Sequence, residues 1–205
     1  MKIQVKRNFR RGFTLVELLV VVVIIAVLAS IGFAVSLGAL QRARMVTSLS
    51  SATNVANAVE AFYSEYNLLP APVAGAPDED NTPAYKTDAN DGIDILEVLS
   101  RLEADNDDMQ NERKINFLSL KEADKGNRDG IVFNSTGDAV TGLFDAWGQP
   151  FYMVIDYDYD GRLDFDVETT GYSYNVKLNN KHIAVYSLGA DLPEDAERKH
   201  LVKTW

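Results

Sequence analysis

The stretch Gly12-Phe13-Thr14-Leu15-Val16-Glu17-Leu18-Leu19-Val20-Val21-Val22 decides how the N-terminal part of this chain folds. From Phe13 to Gln41 the only charged residue is Glu17. Residues 18–40 would form a helix roughly 35 Å long, which is enough to cross a bilayer. Because an acid at the centre of a bilayer costs roughly 2.5–3.5 kcal/mol on insertion scales, Glu17 is a candidate functional residue.

A basic segment precedes this apolar run. Residues 1–12 contain five lysines and arginines and no acid, which predicts a single-pass protein with its N-terminus in the cytoplasm. A plain signal anchor is one interpretation, and a secretory peptide cleaved after Ala29 is another. The apolar run continues past Ala29, however, and neither interpretation explains Glu17 or the step from Arg11 to Gly12.

The order of these features resembles the N-terminal signal of type IV pilins and type II secretion pseudopilins. The shared pattern is a basic leader, a glycine, Phe-Thr-Leu-Val-Glu and a long apolar helix, over residues 12–29. The resemblance implies cleavage after Gly12 by a prepilin peptidase, N-methylation of Phe13 and an assembly role for Glu17. Many relatives carry a proline where this chain has Ala34, so the sequence does not predict the proline kink that those relatives have in the helix.

The resemblance also implies a location and a set of partners. The chain is expected in the bacterial cytoplasmic (inner) membrane and then in a periplasmic or extracellular helical filament of identical subunits. Minor pilins and an inner-membrane assembly platform are the further partners.

The physical chemistry of Glu17 agrees with an assembly role, because the new ammonium group of Phe13 needs a counter-ion in an apolar setting. A carboxylate on a neighbouring subunit supplies it and sets the axial register.

The remaining sequence predicts an α+β, pilin-like fold. The amphipathic pattern of 41–66 continues the helix of 13–40, and a globular head over 67–205 follows the leader 1–12 and these two helical segments. We expect the first half of the long helix to span the membrane and the second half to pack on a small antiparallel sheet. Its buried stripe is predicted to contain Leu49, Ala52, Ala56, Val59, Phe62 and Tyr66.

Shorter elements are predicted in the head. A second helix is expected over 93–103, and turn residues separate six short strands. Asp160-Gly161 and Asn179-Asn180 are predicted to close hairpins. The strands are expected at 115–120, 131–133, 151–155, 162–167, 173–178 and 182–188.

Two segments near the C-terminus carry a second resemblance. Phe144-Asp145-Ala146-Trp147-Gly148-Gln149-Pro150-Phe151-Tyr152 and Val185-Tyr186-Ser187-Leu188-Gly189-Ala190-Asp191 are similar to the D-x-W-G-x-P-Y and Y-S-x-G-x-D signature of major pseudopilins. That resemblance implies a structural calcium ion held by Asp191, with the carbonyl of Leu188 as a backbone ligand. Because calcium takes six to eight oxygen ligands, Asp195 is the next candidate. The tail lacks the acid that the family has near its final tryptophan.

A rival cation site lies earlier in the chain. Asp156, Asp158 and Asp160 alternate before Gly161, as in the first half of an EF-hand loop, and Asp164 follows. The twelfth position of that loop is Val167 instead of an acid. An exposed hairpin with an Asp-Gly turn is the alternative interpretation.

Composition argues against other classes of protein. The chain has no cysteine, only two histidines and no catalytic motif, so we expect no enzyme. The net charge of the chain is −10 although its leader is basic, so the head is strongly acidic. An acidic head repels phosphate groups, which disfavours nucleic-acid binding. The prediction is therefore a structural filament subunit. A low-copy minor pilin that primes assembly or binds a surface or secreted substrate is the alternative, and a membrane protein that never polymerises is a third.

Overall fold

The computed structural model describes residues 13–124, 128–169, 172–190 and 201–205, with the side chains of 31–37, 169 and 172 left aside. The chain divides into two compact units, one up to Arg42 and the other from Ala43 to Trp205, which we call the head unit. The helices are α1 (Leu15–Tyr66) and α2 (Asn90–Leu99). The strands are β1 (Tyr85–Lys86), β2 (Gly130–Phe133), β3 (Val140–Phe144), β4 (Phe151–Ile155), β5 (Arg162–Thr169), β6 (Tyr172–Asn179), β7 (Ile183–Ser187) and β8 (Val202–Lys203).

The first unit is the N-terminal part of α1. Its described large apolar side chains from Leu15 to Leu28 are between 45% and 86% exposed, so the other described residues leave much of their surface uncovered. In the part of the chain that the structure describes, no helix is both long and apolar enough to cross a bilayer. The predicted span over 18–40 is therefore not confirmed. The side chain of Ala34 lies outside the described residues.

In the head unit, α1 buries one stripe of side chains. Ala52, Val55, Val59 and Phe62 are at most 1% exposed and recur every three or four residues, as one helix face requires. The prediction that Leu49 belongs to this stripe is wrong, because its side chain is 40% exposed. It lies about 100° around the helix from Ser48, whose position in the stripe is buried.

The main sheet has the order β1-β4-β7-β8 and is antiparallel throughout. The side chains of a strand alternate between the two faces of a sheet, and here both faces are covered. Met153 and Ile155 of β4 pack in the core formed with α1 and α2, whereas Val154 packs in a second core. That second core also contains Phe165 of the β5–β6 hairpin.

The α+β class, with the N-terminal helix packed on antiparallel sheets, is confirmed. Both predicted hairpins are wrong, however: β5 pairs with β6, whereas β7 pairs with β4 and β8. All five residues of β7 are buried, which suits a central strand better than a hairpin edge. Two further pairs, β2–β3 and β5–β6, stand as separate sheets where one sheet was predicted.

Other element boundaries differ from the predictions. No strand forms over 115–120, because the N–H groups of Phe117 and Leu118 donate to the carbonyl of Leu99 in place of a neighbouring strand. Helix α2 begins three residues earlier than predicted and ends at Leu99, close before Arg101 with its positive φ of 65°. Strands β1, β3 and β8 were not predicted.

Candidate functional site

The predicted assembly residue Glu17 forms a capping box with Thr14 at the start of α1. Its Oε2 accepts hydrogen bonds from the N–H of Thr14 at 2.9 Å and from the Thr14 hydroxyl at 2.8 Å. In return, the N–H of Glu17 donates to Oγ1 of Thr14 at 3.2 Å. This reciprocal pairing satisfies N–H groups that the first helical turn leaves without partners. Glu17 therefore has a structural role that the sequence analysis missed, although Thr-x-x-Glu before an apolar run is its signature.

The capping box leaves part of the carboxylate available. Both bonds from Thr14 go to Oε2, and Oε1 of Glu17 has no hydrogen bond among the described residues. Phe13 is 74% exposed directly before this turn. Gly12, the predicted cleavage residue, lies outside the described residues. One oxygen of Glu17 thus holds its own helix start, and the other is left available for a further donor.

The two C-terminal signature segments meet at a buried carboxylate. Asp145 is 1% exposed, and its Oδ1 accepts the N–H groups of Trp147 at 2.8 Å and Gln149 at 2.9 Å. Its Oδ2 accepts the hydroxyl of Ser187 in β7, and the Ser187 oxygen accepts the N–H of Gly189. The aspartate of one signature thus orients the serine of the other. The sequence resemblance placed both residues without showing that they touch.

The segment after Asp145 is also hydrogen-bonded to α1. The N–H of Ala146 donates to the hydroxyl oxygen of Ser48, which is buried in the helix stripe, at 2.9 Å.

Leu188 packs at the edge of the second core. Asp191 and Asp195, the other predicted calcium ligands at this end, lie outside the described residues. Calcium in this loop stays a prediction.

The rival acidic loop after β4 folds around its own carboxylates. Buried Asp156 accepts the N–H groups of Asp160 at 3.1 Å and Gly161 at 3.0 Å, and Asp158 also accepts the N–H of Asp160 at 3.1 Å. Asp160 in turn accepts the N–H of Arg162 at 2.6 Å. The fourth predicted residue, Asp164, is not brought to this loop.

Asp164 has partners of its own on the β5–β6 hairpin. Its Oδ2 forms an exposed ion pair with Lys177, and its Oδ1 accepts from the Asn175 amide at 2.7 Å. Both contacts hold the pKa of Asp164 below its ordinary value, with the bond from Lys177 as the larger cause. It belongs to a cross-strand pair and not to a cation site with the three loop aspartates.

A residue from a distant segment joins the acidic loop. Carboxylate oxygens of Asp80, Asp156 and Asp158 all lie within 4.8 Å of one another, and Oδ1 of Asp80 is buried without a hydrogen bond among the described residues. Asn81 fixes this position, because its side-chain N–H donates to the carbonyl of Met153 at 2.9 Å and its side-chain oxygen accepts the N–H of Ile155 at 2.7 Å. No local pattern in the sequence links Asp80 to residues 76 or more positions later.

Burial and repulsion act together on this cluster. Burial, as the largest cause, and the charges of Asp158, Asp156 and Asp160 together raise the pKa of Asp80 from its ordinary 3.8 to about 6. Burial is also the largest cause that raises the pKa of Asp156, followed by its contact with Asp158. The cluster is therefore poorly compensated when all its members are ionised.

We expect the stability of the head unit to depend on pH through Asp80. Because its folded pKa is raised, the ionised group destabilises the fold above pH 6, and this penalty is relieved as the pH falls from about 6 towards 3.8. Asp80→Asn should therefore have a higher melting temperature than the unaltered chain at pH 7, and the difference should vanish near pH 4. Melting curves of both chains across this range measure the effect. A constant difference at every pH would contradict it.

The comparisons with known proteins concern the N-terminal end. The model of the prokaryotic N-terminal methylation motif matches residues 7–33, which include Gly12, Phe13 and Glu17. No curated protein and no solved structure matches the chain. The matched segment therefore contains the predicted cleavage point, the residue predicted to be methylated and the carboxylate of the capping box.

Proposed function

The methylation motif supports a place for this chain in the type IV pilin and pseudopilin family, and from that premise we propose that it is a structural subunit of a pilus-like filament. The motif itself is the observation that carries the proposal. A prepilin peptidase cleaves after Gly12, the amine of Phe13 is methylated, and the chain waits in the inner membrane before assembly. Apolar side chains that one chain leaves exposed from Leu15 to Leu28 then become buried between subunits.

Glu17 sets the register of the filament in this proposal. Cleavage creates an ammonium group on Phe13, and an ammonium group in an apolar core is costly without a counter-ion. Oε1 of Glu17 on a neighbouring subunit meets it while Oε2 keeps the hydrogen bonds from Thr14. Any other axial stagger leaves two charges unpaired.

The head supports the secretion branch of the family. Asp145 and Ser187, which belong to the two segments that resemble the major pseudopilin signature, are hydrogen-bonded to each other in a buried position. We therefore propose that the chain is a subunit of the pseudopilus of a type II secretion system. A low-copy minor pilin is the alternative, and the abundance of the chain in sheared filaments distinguishes the two.

Processing is the first test of this function. The mature chain isolated from membranes should begin with N-methyl-phenylalanine at position 13, as read from the mass of its N-terminal peptide. Changing Gly12 to a bulky residue should leave the leader attached, because we expect the peptidase to recognise the residue directly before the cleaved bond. A mature chain that keeps Met1, or that starts at Ser30, would exclude the proposal.

A structural calcium ion is the second part of the proposal. The C-terminal loop with Leu188, Asp191 and Asp195 is one candidate location, and the cluster of Asp156 and Asp158 with Asp80 is the other. Calcium should raise the melting temperature of the full chain, and a chelator should reverse the change. Asp158→Asn should remove the response if the cluster binds the ion, whereas Asp164→Asn should not alter it. An unchanged melting temperature excludes both locations.

A further inference from the structure

The β5–β6 hairpin has two outer edges, and no strand pairs with either of them in the part of the chain that the structure describes. Its strands form a two-stranded sheet of their own, paired from Arg162 and Asn179 to Thr169 and Tyr172. One face of this sheet packs in the second core, and the other face is exposed. A long edge strand presents a row of unpaired N–H and C=O groups to which another strand can bind.

The hydrogen-bond pattern shows which backbone groups of β6 point outwards. The N–H of Asn180 donates to the carbonyl of Gly161 at 2.6 Å, so these residues are a hydrogen-bonded pair just beyond the strand ends. Because such pairs alternate along an antiparallel ladder, every second residue of β6 directs its N–H and C=O away from β5. These groups have no hydrogen-bond partner among the described residues. They belong to Ser173, Asn175, Lys177 and Asn179, whose side chains are exposed.

The two edges of the hairpin differ in charge. On β5 the residues with outward-pointing backbone groups include Asp164, Asp166 and Glu168, and three acids on alternate positions repel another acidic chain. The corresponding residues of β6 include no acid, and their one cation, Lys177, forms an ion pair with Asp164. Repulsion between like charges therefore protects the edge of β5 from a second copy and leaves the edge of β6 open to it.

We infer that the β6 edges of two copies pair antiparallel about a two-fold axis at Val176. In this register Ser173 lies opposite Asn179 of the second copy, and Asn175 lies opposite Lys177 of the second copy. Each of these pairs brings outward-pointing groups face to face and exchanges two hydrogen bonds.

Other registers are less favourable. Centring the axis on Lys177 places two ammonium groups directly opposite each other, which is destabilising. Centring it on Asn175 leaves Asn179 with no opposite residue in β6. A shift by a single residue turns the hydrogen-bonding groups of one strand away from the other. The register about Val176 is thus the one that pairs all the outward-pointing residues of β6 without opposing like charges.

The side chains on both faces suit this register. The amide nitrogen of Asn175 donates to carboxylates of β5, whereas its Oδ1 has no hydrogen bond among the described residues and can accept from Lys177 of the second copy. On the other face Val176 meets its own copy, and Tyr174 lies opposite Leu178. Tyr174 and Leu178 are only half-buried at the rim of the second core, so pairing removes more apolar surface from water.

The symmetry of this contact separates it from the contacts of a filament. The same surface meets itself, so the contact is isologous and closes after two copies, whereas an open helical filament requires heterologous contacts. The pair therefore joins two copies that do not belong to one filament. The inference goes beyond the proposed function, because two heads can pair whether or not filaments form.

Thiol cross-linking tests the register, because the chain contains no cysteine of its own. The full chain with Ser173→Cys, mixed in detergent with an equal amount of the full chain with Asn179→Cys, should give oxidised dimers that contain one chain of each kind. Either variant alone should stay unlinked, because its two thiols would lie about 20 Å apart along the paired strands. The absence of mixed dimers, or equal linking of one variant with itself, overturns the inference.

A proline on the outer edge gives an independent measurement. Asn175→Pro removes an outward-pointing N–H that β5 does not use, so the hairpin is kept while the edge is blocked. Sedimentation of the full chain in detergent should show a dimer fraction at least about fivefold lower. The matched control is Asp166→Pro, the same change in the directly opposite residue of β5, which should leave the dimer fraction unaltered.

Equal losses from both proline variants, or full dimerisation of Asn175→Pro, would contradict pairing through β6. An unaltered chain that stays monomeric in detergent but still yields methylated filaments would overturn the pairing alone. A chain that dimerises through β6 but is never cleaved after Gly12 would overturn the proposed filament function and leave the pairing in place.

Discussion

Glu17→Gln is expected to abolish filaments while the chain stays in the membrane with a folded head. Glutamine can replace glutamate in a capping box, so the helix start is kept. The change removes only the negative charge that compensates the ammonium of Phe13 in the filament core. An uncompensated buried charge costs several kcal/mol per subunit, which is enough to lower filament yield at least tenfold. Sheared-filament yield, with the amount of chain in the membrane as reference, measures the effect.

Thr14→Ala is the matched control for this prediction. It removes the hydroxyl from the capping box but leaves the charge of Glu17 in place. Loss of an N-cap side chain costs about 0.5–2 kcal/mol of helix stability, and a long helix can tolerate that loss. Filaments should therefore persist with Thr14→Ala. If Glu17→Gln gave filaments in normal amount and Thr14→Ala did not, Glu17 would act only as a helix cap.

Asp145→Ala is expected to lower the free energy of unfolding of the head by about 3 kcal/mol or more. The change leaves three donors without an acceptor, namely the N–H groups of Trp147 and Gln149 and the hydroxyl of Ser187. Each buried donor that is left unsatisfied costs about 1–3 kcal/mol. Urea denaturation of the full chain in detergent, followed by near-ultraviolet circular dichroism, measures the change.

Asp164→Ala is the control for the buried aspartate. It also deletes a carboxylate that forms hydrogen bonds, but its partner Lys177 is exposed and can return to water. Exposed ion pairs contribute about 0–1 kcal/mol, so this variant should unfold close to the unaltered chain. Equal effects from the two variants would mean that Asp145 does not join the two signature segments.

Local patterns predicted the parts of this fold that depend on neighbours in sequence. The run from Phe13 to Glu17 identified the family signal, and the spacing of Ala52, Val59 and Phe62 identified the helix that packs on the head. Strand β4 was predicted with its observed boundaries. In each case the signal is periodicity or a motif within a few residues, which is the information that a single sequence carries.

The errors concern choices made between distant segments. Asn179-Asn180 is a good turn sequence, but the buried side chains of β7 are better satisfied between β4 and β8 than in a hairpin with β6. Asp80 joins the loop aspartates only because Asn81 is bonded to β4. Leu49 was assigned to the buried stripe because it lies three residues before Ala52, but the head covers the face of Ser48 at this level and leaves Leu49 40% exposed. Tertiary packing decides all three.

The order of the main sheet has a consequence for the timing of folding. Its outer strands, β1 and β8, come from residues 85–86 and 202–203, so more than a hundred residues of chain separate them. Until residue 203 has left the ribosome, β7 has a bare edge whose N–H and C=O groups can pair with the wrong strand. Contacts over such sequence distances also form slowly. A newly made head therefore passes through an aggregation-prone interval, during which a chaperone that shields strand edges would raise its yield.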